Sequence, residues 1–241
     1  MVDETPTERL RHSMFDRRVH ALMVGLALLL VAMVLAIVVA VDPASSAVQG
    51  IDDRWLRWMV SSRSAWLIRV AKDISAIGAV KVTLPIRVLV SAVLAWNRRW
   101  LQLGAFLGAV VTSELCIGPV KALVDRPRPP NPLIGTSGQS FPSGHAIAGA
   151  VTAFGLVVVF VPASPRRLMA IGMAAAFAGI MAISRTVLAA HWLTDTIAGA
   201  CIGTGLALVW PAALEIARDR CARRRAAESE ISPPSIAGGS S

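Results

Sequence analysis

Six apolar runs, each close to the length that crosses a bilayer, dominate this chain. They fall at roughly 19–41, 74–96, 101–123, 143–162, 168–188 and 191–213. About 20 apolar residues at the helical rise span the hydrocarbon layer. Inside that layer every backbone N–H and C=O needs an internal partner, so runs of this length fold as helices. The expected fold class is therefore all-α: a polytopic membrane helix bundle of about six transmembrane helices. Composition agrees, with 241 residues that are 55% hydrophobic and only 16% charged, a balance that belongs to membrane proteins rather than soluble domains.

The first run follows Arg17 and Arg18, and "PASSA" (Pro43 to Ala47) resembles a cleavage site. Its apolar core exceeds a signal peptide's h-region, which reads as a retained helix. Between runs one and two lies the polar, Trp-bearing "SSAVQGIDDRWLRWMVSSRSAWLIRVAKD", expected to form an amphipathic interfacial helix followed by a re-entrant turn. Lys81 and Arg87 fall inside the second run; ionisable residues there face a bundle interior or snorkel. The three cysteines, Cys116, Cys201 and Cys221, have no CxxC spacing and read as packing residues.

Six spans place the N-terminus, "NRRW" (Asn97 to Trp100), "SPRR" (Ser164 to Arg167) and the tail on one side, and all four are basic. The positive-inside rule makes that side cytoplasmic. The chain then divides into a cytoplasmic N-terminal segment 1–18, a six-span domain 19–214 and a basic cytoplasmic tail 215–241 whose end, "ESEISPPSIAGGSS", is compositionally disordered. The tail's arginines suit anionic lipid rather than nucleic acid.

The opposite side carries three polar clusters. "VKALVDRPRPP" holds Lys121, Arg126 and Arg128. Each arginine precedes a proline, which keeps the backbone extended. A snorkelling lysine and a solvated loop would explain this segment alone. In "PSGH", Pro142 suits a first helical turn, and Ser143 and Gly144 leave backbone N–H groups at a helix N-terminus that can receive an anion. His145 on that turn could donate a proton to a leaving oxygen; equally, Ser143 could simply cap the helix. In "SRTVLAAHWLTD", His191 and Asp195 stand at i and i+4. Asp195 can accept the proton of one ring nitrogen and leave the other bare, as a nucleophile or base. Arg185 adds a donor fork suited to phosphate. Asp195 as a dipole residue of a first turn is the plain alternative.

Together the clusters resemble the type 2 phosphatidic acid phosphatases, whose tripartite signature reads KxxxxxxRP, PSGH and SRxxxxxHxxxD. Lys121, Arg128 and Pro129 fit the first part, Pro142 to His145 the second, and Ser184, Arg185, His191 and Asp195 the third. The resemblance covers about Leu115 to Ala200 at motif level. Val187 and Leu193 stand where many members have an aromatic residue and a proline.

The resemblance implies that His191 attacks phosphorus to give a phosphohistidine and that Asp195 orients it. His145 would protonate the leaving group and then activate water. Lys121, Arg128, Arg185, Ser143 and the N–H of Gly144 would hold the phosphoryl oxygens. Fixed cations replace a metal, and no carboxylate cluster, HxH or CxxC suggests a metal or other cofactor. The expected substrate is a lipid phosphate cleaved at the extracytoplasmic face. On topology a polyprenyl diphosphate or monophosphate ranks first, with phosphatidic acid or phosphatidylglycerol phosphate close behind. A lipid-linked phosphotransferase and a transporter of anionic solutes are the alternatives; a vanadate haloperoxidase shares the signature but is soluble. Small residues, among them Gly149, Gly172, Gly179, Gly199 and Gly203, are expected to bring the later spans close around the site.

Overall fold

The computed structural model describes residues 6–41 and 47–231, so most of "PASSA" and residues 232–241 of the end expected to be disordered lie outside the described residues, while Glu228 to Ile231 of that end continue α8 instead. Eight helices follow in order, with no strand among the described residues: α1 (Pro6–Val41), α2 (Ala47–Ser61), α3 (Ala65–Ile77), α4 (Val80–Trp96), α5 (Trp100–Val124), α6 (Gly144–Phe160), α7 (Pro165–Val187) and α8 (Leu193–Ile231). Five helical stretches are long and apolar enough to cross a membrane, and α6 is a shorter apolar helix of 17 residues, about 25 Å long at the α-helical rise.

α6 is apolar on every face, which suits either lipid or the interior, and the fold puts it in the interior. Ala146, Ile147, Ala150, Val151, Phe154 and Val157 are buried along it, the last four in a core shared with Ala109 of α5, Ala170, Ala174 and Ala178 of α7, and Leu206 and Ala207 of α8. α8 lies so close to α6 that a Cβ built on Gly199 would stand 2.6 Å from the Ser143 carbonyl oxygen, and one on Gly203 2.6 Å from that of Ile147. Gly149 packs on Met181 and Phe177 in the same way, but Gly172 and Gly179 face open space. Close helix approach thus holds for three of the five expected glycines, because only those point inward. On its other flank α8 meets α1, where Gly205 approaches the Gly25 carbonyl oxygen. Of the cysteines, Cys201 is half-buried as expected of a packing residue, whereas Cys116 and Cys221 are exposed.

The second span differs from its expected form. Instead of a re-entrant turn, α2 is followed by a short turn and the helix α3, whose N-cap Ser64 accepts from the Leu67 N–H at 3.2 Å. The chain breaks at Gly78 and resumes as α4, so the apolar stretch runs from Ala65 to Trp96. The break sits where the chain presses on α7: a Cβ on Gly78 would lie 2.7 Å from Met181 Sδ. Arg87 turns inward from α4, its guanidinium on Glu114 Oε1 at 2.7 Å and Thr152 Oγ1 at 3.0 Å, while Lys81 is exposed.

The basic segments collect at one end of the bundle. Arg18 pairs with Glu215 at 2.7 Å, Arg99 donates to the Val159 carbonyl at 2.7 Å, and a cavity there is lined by Arg99, Gln102, Phe160, Arg167 and Glu215. The end of α5 and the starts of α6 and α8 lie at the other.

Candidate active site

At that other end, four helix termini and two connections converge. α5 contributes Lys121 in its last turn and closes on Asp125, which adopts the left-handed conformation with φ of 43° and returns its N–H to the Lys121 carbonyl. The connection 125–143 brings Arg126 and Arg128. α6 opens with Ser143, Gly144 and His145, α7 ends on Arg185, and His191 lies in the connection before α8. The Ser143 N–H donates to the Asp195 carbonyl oxygen at 3.0 Å, fastening the first turn of α6 to the first turn of α8.

His191 is buried, and its two neighbours fix its tautomer. Nδ1 lies 2.8 Å from the Ser140 carbonyl oxygen, and Nε2 lies 3.3 Å from Arg128 Nη1. A carbonyl only accepts and a guanidinium only donates, so the proton belongs on Nδ1 and the lone pair on Nε2. The nearest acceptor for Nδ1 is therefore a backbone carbonyl rather than Asp195, whose Oδ2 is 3.5 Å away. The expected i,i+4 pairing assumed both residues on one helix, but α8 begins at Leu193. His191 thus precedes the last span instead of opening it, and Asp195 Oδ2 accepts from the Trp192 N–H at 2.9 Å. Burial, reinforced by the cations of Arg185 and Arg128 against the opposing pull of Asp195, pushes the His191 pKa down from 6.5 to about 4. The imidazole is neutral, with a bare Nε2, at ordinary pH.

Arg128 lies against Nε2, and the three cations of the site each have protein partners. Arg128 donates to the carbonyls of Ala190 at 2.7 Å, Gly138 at 2.9 Å and Ser137 at 2.9 Å, so the loop holds its guanidinium against His191. Lys121 Nζ donates to the Gln139 carbonyl at 2.6 Å. Arg185 hydrogen-bonds Ser75 Oγ of α3. Its Nε, and the hydroxyl of Ser143, are buried with no protein partner. Ser143 stands at the N-cap position without making a side-chain cap bond, so capping does not account for it. Unpaired buried donors aimed around a helix N-terminus fit an anionic ligand. His145, half-buried on the first turn of α6, lies beside the Gly78 break.

All eight residues expected from the sequence, Lys121, Arg128, Ser143, Gly144, His145, Arg185, His191 and Asp195, stand at this end on α5, the 125–143 connection, α6, α7, the α7–α8 connection and α8. Four others have no role in the site on sequence grounds: Arg126 is expected on this side only as a loop cation, and Asp52, Gln49 and Thr194 are not singled out. Arg126, wholly buried, donates to Asp195 Oδ1 at 2.7 Å, Asp52 Oδ2 at 2.7 Å, Thr194 Oγ1 at 2.8 Å and Gln49 Oε1 at 2.6 Å. Asp52 in turn accepts from the Thr194 N–H at 3.0 Å and its hydroxyl at 2.6 Å. Among the described residues, no three His, Cys, Asp or Glu side chains gather in a group that could hold a metal ion.

Residues 102–218 match the family model for the PAP2 superfamily. The chain is 31% identical over 164 residues to phosphatidylglycerophosphatase B of Bacillus subtilis (strain 168), covering 66% of this chain and 81% of that one. Among solved structures it resembles the transmembrane PAP2-type phosphatidylglycerolphosphate phosphatase of Bacillus subtilis, with a TM-score of 0.65, 27% identity and coverage of 88% of this chain and 98% of that one. The fold is also shared with LpxE of Aquifex aeolicus, at a TM-score of 0.54 and 19% identity over 64% of this chain and 91% of that one.

Proposed function

Because the chain belongs to the PAP2 superfamily and is thereby a membrane phosphatase, we propose that it hydrolyses a lipid phosphate through a phosphohistidine on His191. The observation that carries this reading is the lone pair of His191 Nε2 set against the Arg128 guanidinium at 3.3 Å. A phosphoryl group drawn to that cation meets the nucleophile at bonding range. Nε2 attacks phosphorus, the bond from phosphorus to the lipid oxygen breaks, and His145 delivers its proton to that oxygen. In the second half His145 takes a proton from water as the water oxygen attacks phosphorus, the P–N bond breaks, and inorganic phosphate leaves with both imidazoles restored.

Charge on the equatorial oxygens is met by Lys121, Arg128, Arg185, the Ser143 hydroxyl and the Gly144 N–H, donors held in place before reaction, with Arg185 and Ser143 buried. They supply the positive charge that divalent ions provide in other phosphoryl-transfer sites, so the reading is of metal-independent hydrolysis.

Phosphatidylglycerol phosphate is the first-ranked substrate, moved ahead of a polyprenyl diphosphate by the similarity to a Bacillus subtilis phosphatase named for that lipid, in sequence and in structure. The positive-inside rule puts the site on the extracytoplasmic face with both termini in the cytoplasm. That orientation keeps the polyprenyl diphosphate as the second reading, since lipid carriers are recycled there. The test is a comparison of purified enzyme on phosphatidylglycerol phosphate, phosphatidic acid and polyprenyl diphosphate in mixed micelles, followed as released phosphate. The first should show the highest kcat/KM. Phosphate transfer to a second lipid without release would favour a transferase, and failure on all three would overturn the reading.

A further inference from the structure

We propose that Arg126, held by Asp52 and Gln49 of α2, is a positioning residue that sets both the orientation of Asp195 and the charge it presents to His191. This rests on the reading of His191 as nucleophile.

The geometry is two-ended. Asp195 has one oxygen on each side of the connection: Oδ1 takes the Arg126 guanidinium at 2.7 Å, and Oδ2 is left to the Trp192 N–H and to His191 Nδ1. A carboxylate held at both oxygens cannot swing, so Arg126 on Oδ1 and the Trp192 N–H on Oδ2 together set its distance from the imidazole. Arg126 cannot swing either. Its second nitrogen is held by Asp52 at 2.7 Å and Gln49 at 2.6 Å, and the guanidinium lies over the Trp192 ring, 5.3 Å from its centroid, with the indole N–H tied to the Pro127 carbonyl at 2.8 Å. Thr194 closes the circuit by accepting from Arg126 and donating to Asp52.

The arrangement also divides charge. Arg126 is shared by two buried carboxylates, so it neutralises Asp195 only in part, and Asp52 decides how much. His191 is thereby poised between opposing fields: Arg128 from the connection, Arg185 from α7 and, when charged, His145 from α6 oppose its protonation, while Asp195 of α8, itself facing Lys121 of α5, favours it. A free Asp195 would favour it more strongly, and an Asp195 held by Arg126 alone less. The interfacial helix α2, outside the signature altogether, therefore contributes to the nucleophile.

The test measures kcat and kcat/KM against pH on phosphatidylglycerol phosphate in mixed micelles, together with a 15N NMR titration of His191 in the same purified variants. Arg126→Gln removes a cation beside Asp195, so the acid limb and the His191 titration should move to higher pH by about one unit, with kcat falling and KM little changed. Asp52→Asn should move both the opposite way by a smaller amount, because Arg126 then serves Asp195 alone. Arg126→Lys, which keeps the charge but not the fork, should hold the wild-type limb while lowering kcat. A limb and a titration that stay fixed in Arg126→Gln and Asp52→Asn, or move in the same direction in both, would overturn the proposal and leave the network a structural strut. If Arg126→Gln does not fold, the sign of the Asp52→Asn shift decides. Wild-type enzyme without phosphatase activity would instead defeat the functional reading, and the NMR titration would still report on Arg126.

Discussion

Gly199 offers a sharp test of how tightly the fold positions the chemistry. A methyl group there would stand 2.6 Å from the Ser143 carbonyl oxygen and 3.0 Å from Ala146 Cβ, atoms of the α6 backbone and of a side chain that cannot rotate away. Ordinary contact begins at about 3.4 Å, so Gly199→Ala must separate the helix starts by about 0.8 Å. The same helix start carries Ser143 and His145, and the hydrogen bond from the Ser143 N–H to the Asp195 carbonyl would lengthen with it. Overpacking of this kind costs about 1–3 kcal/mol of stability, against which alanine's helix preference returns only about 0.5–1 kcal/mol. A displacement near 1 Å in a catalytic arrangement costs up to about 100-fold in rate. We expect Gly199→Ala to fold but lose about 10- to 100-fold in kcat, with a smaller change in KM, read as phosphate release in mixed micelles alongside thermal unfolding in detergent. Gly179→Ala, where a methyl group meets nothing, is the control and should equal or exceed wild-type stability with unchanged kcat. Wild-type turnover by Gly199→Ala would show that the α6–α8 contact does not position the site.

The remaining predictions concern the reaction directly. His191→Ala should abolish turnover, Asp195→Asn should reduce it by two orders of magnitude or more, on the order of what orienting carboxylates contribute elsewhere, and quenching wild-type enzyme on labelled substrate should trap an acid-labile, base-stable phosphoenzyme. Activity should survive EDTA and be inhibited by orthovanadate; loss on chelation with recovery on adding a divalent ion would contradict the role given to Lys121, Arg128 and Arg185. With the His191 pKa at about 4, below its ordinary 6.5, the nucleophile stays neutral and its contribution to kcat persists until the pH falls through about 4. The unfolded chain takes up that proton from 6.5 downward while the folded one does not, so conformational stability should decline across the same window. In a background with Cys116, Cys201 and Cys221 replaced, a cysteine at Ser137 should react with a membrane-impermeant reagent in intact cells and one at Ser164 should not; the reverse would put the site in the cytoplasm.

What the sequence made legible was what is local. Spans declared themselves by length and apolarity, and the signature residues by sitting at the ends of those spans that share one face of the bundle. The inward glycines Gly199 and Gly203 could be guessed from spacing on an apolar helix, but the outward Gly172 and Gly179 carry the same spacing signal. The break at Gly78 has a local signal in the glycine itself, but its close approach to Met181, far along the chain, has none. The tautomer of His191 is set by a carbonyl 51 residues away, which no residue type encodes. Asp52 and Arg126 are separated by 74 residues. Asp52 sits on a helix whose alternation of charge and tryptophan reads simply as a membrane surface, and Arg126 sits on a loop where solvation would have been sufficient explanation. The polar groups that fix His191 and Asp195 are thus specified by tertiary approach rather than by pattern.

The brevity of α6 sets a vertical scale for catalysis. A helix of about 25 Å does not fill a hydrocarbon layer of about 30 Å. With its far end at the basic interface, its first turn, and His145 with it, would lie a few ångströms below the opposite surface of an average bilayer. The headgroup must then sink or the lipid must thin around the bundle, at a cost of fractions of a kcal/mol for each ångström of mismatch. Under the proposed reaction, the rate of dephosphorylation would then become a gauge of local membrane thickness. Long, saturated acyl chains would raise the substrate's phosphate away from the nucleophile, and short or disordered ones would bring it down to meet it.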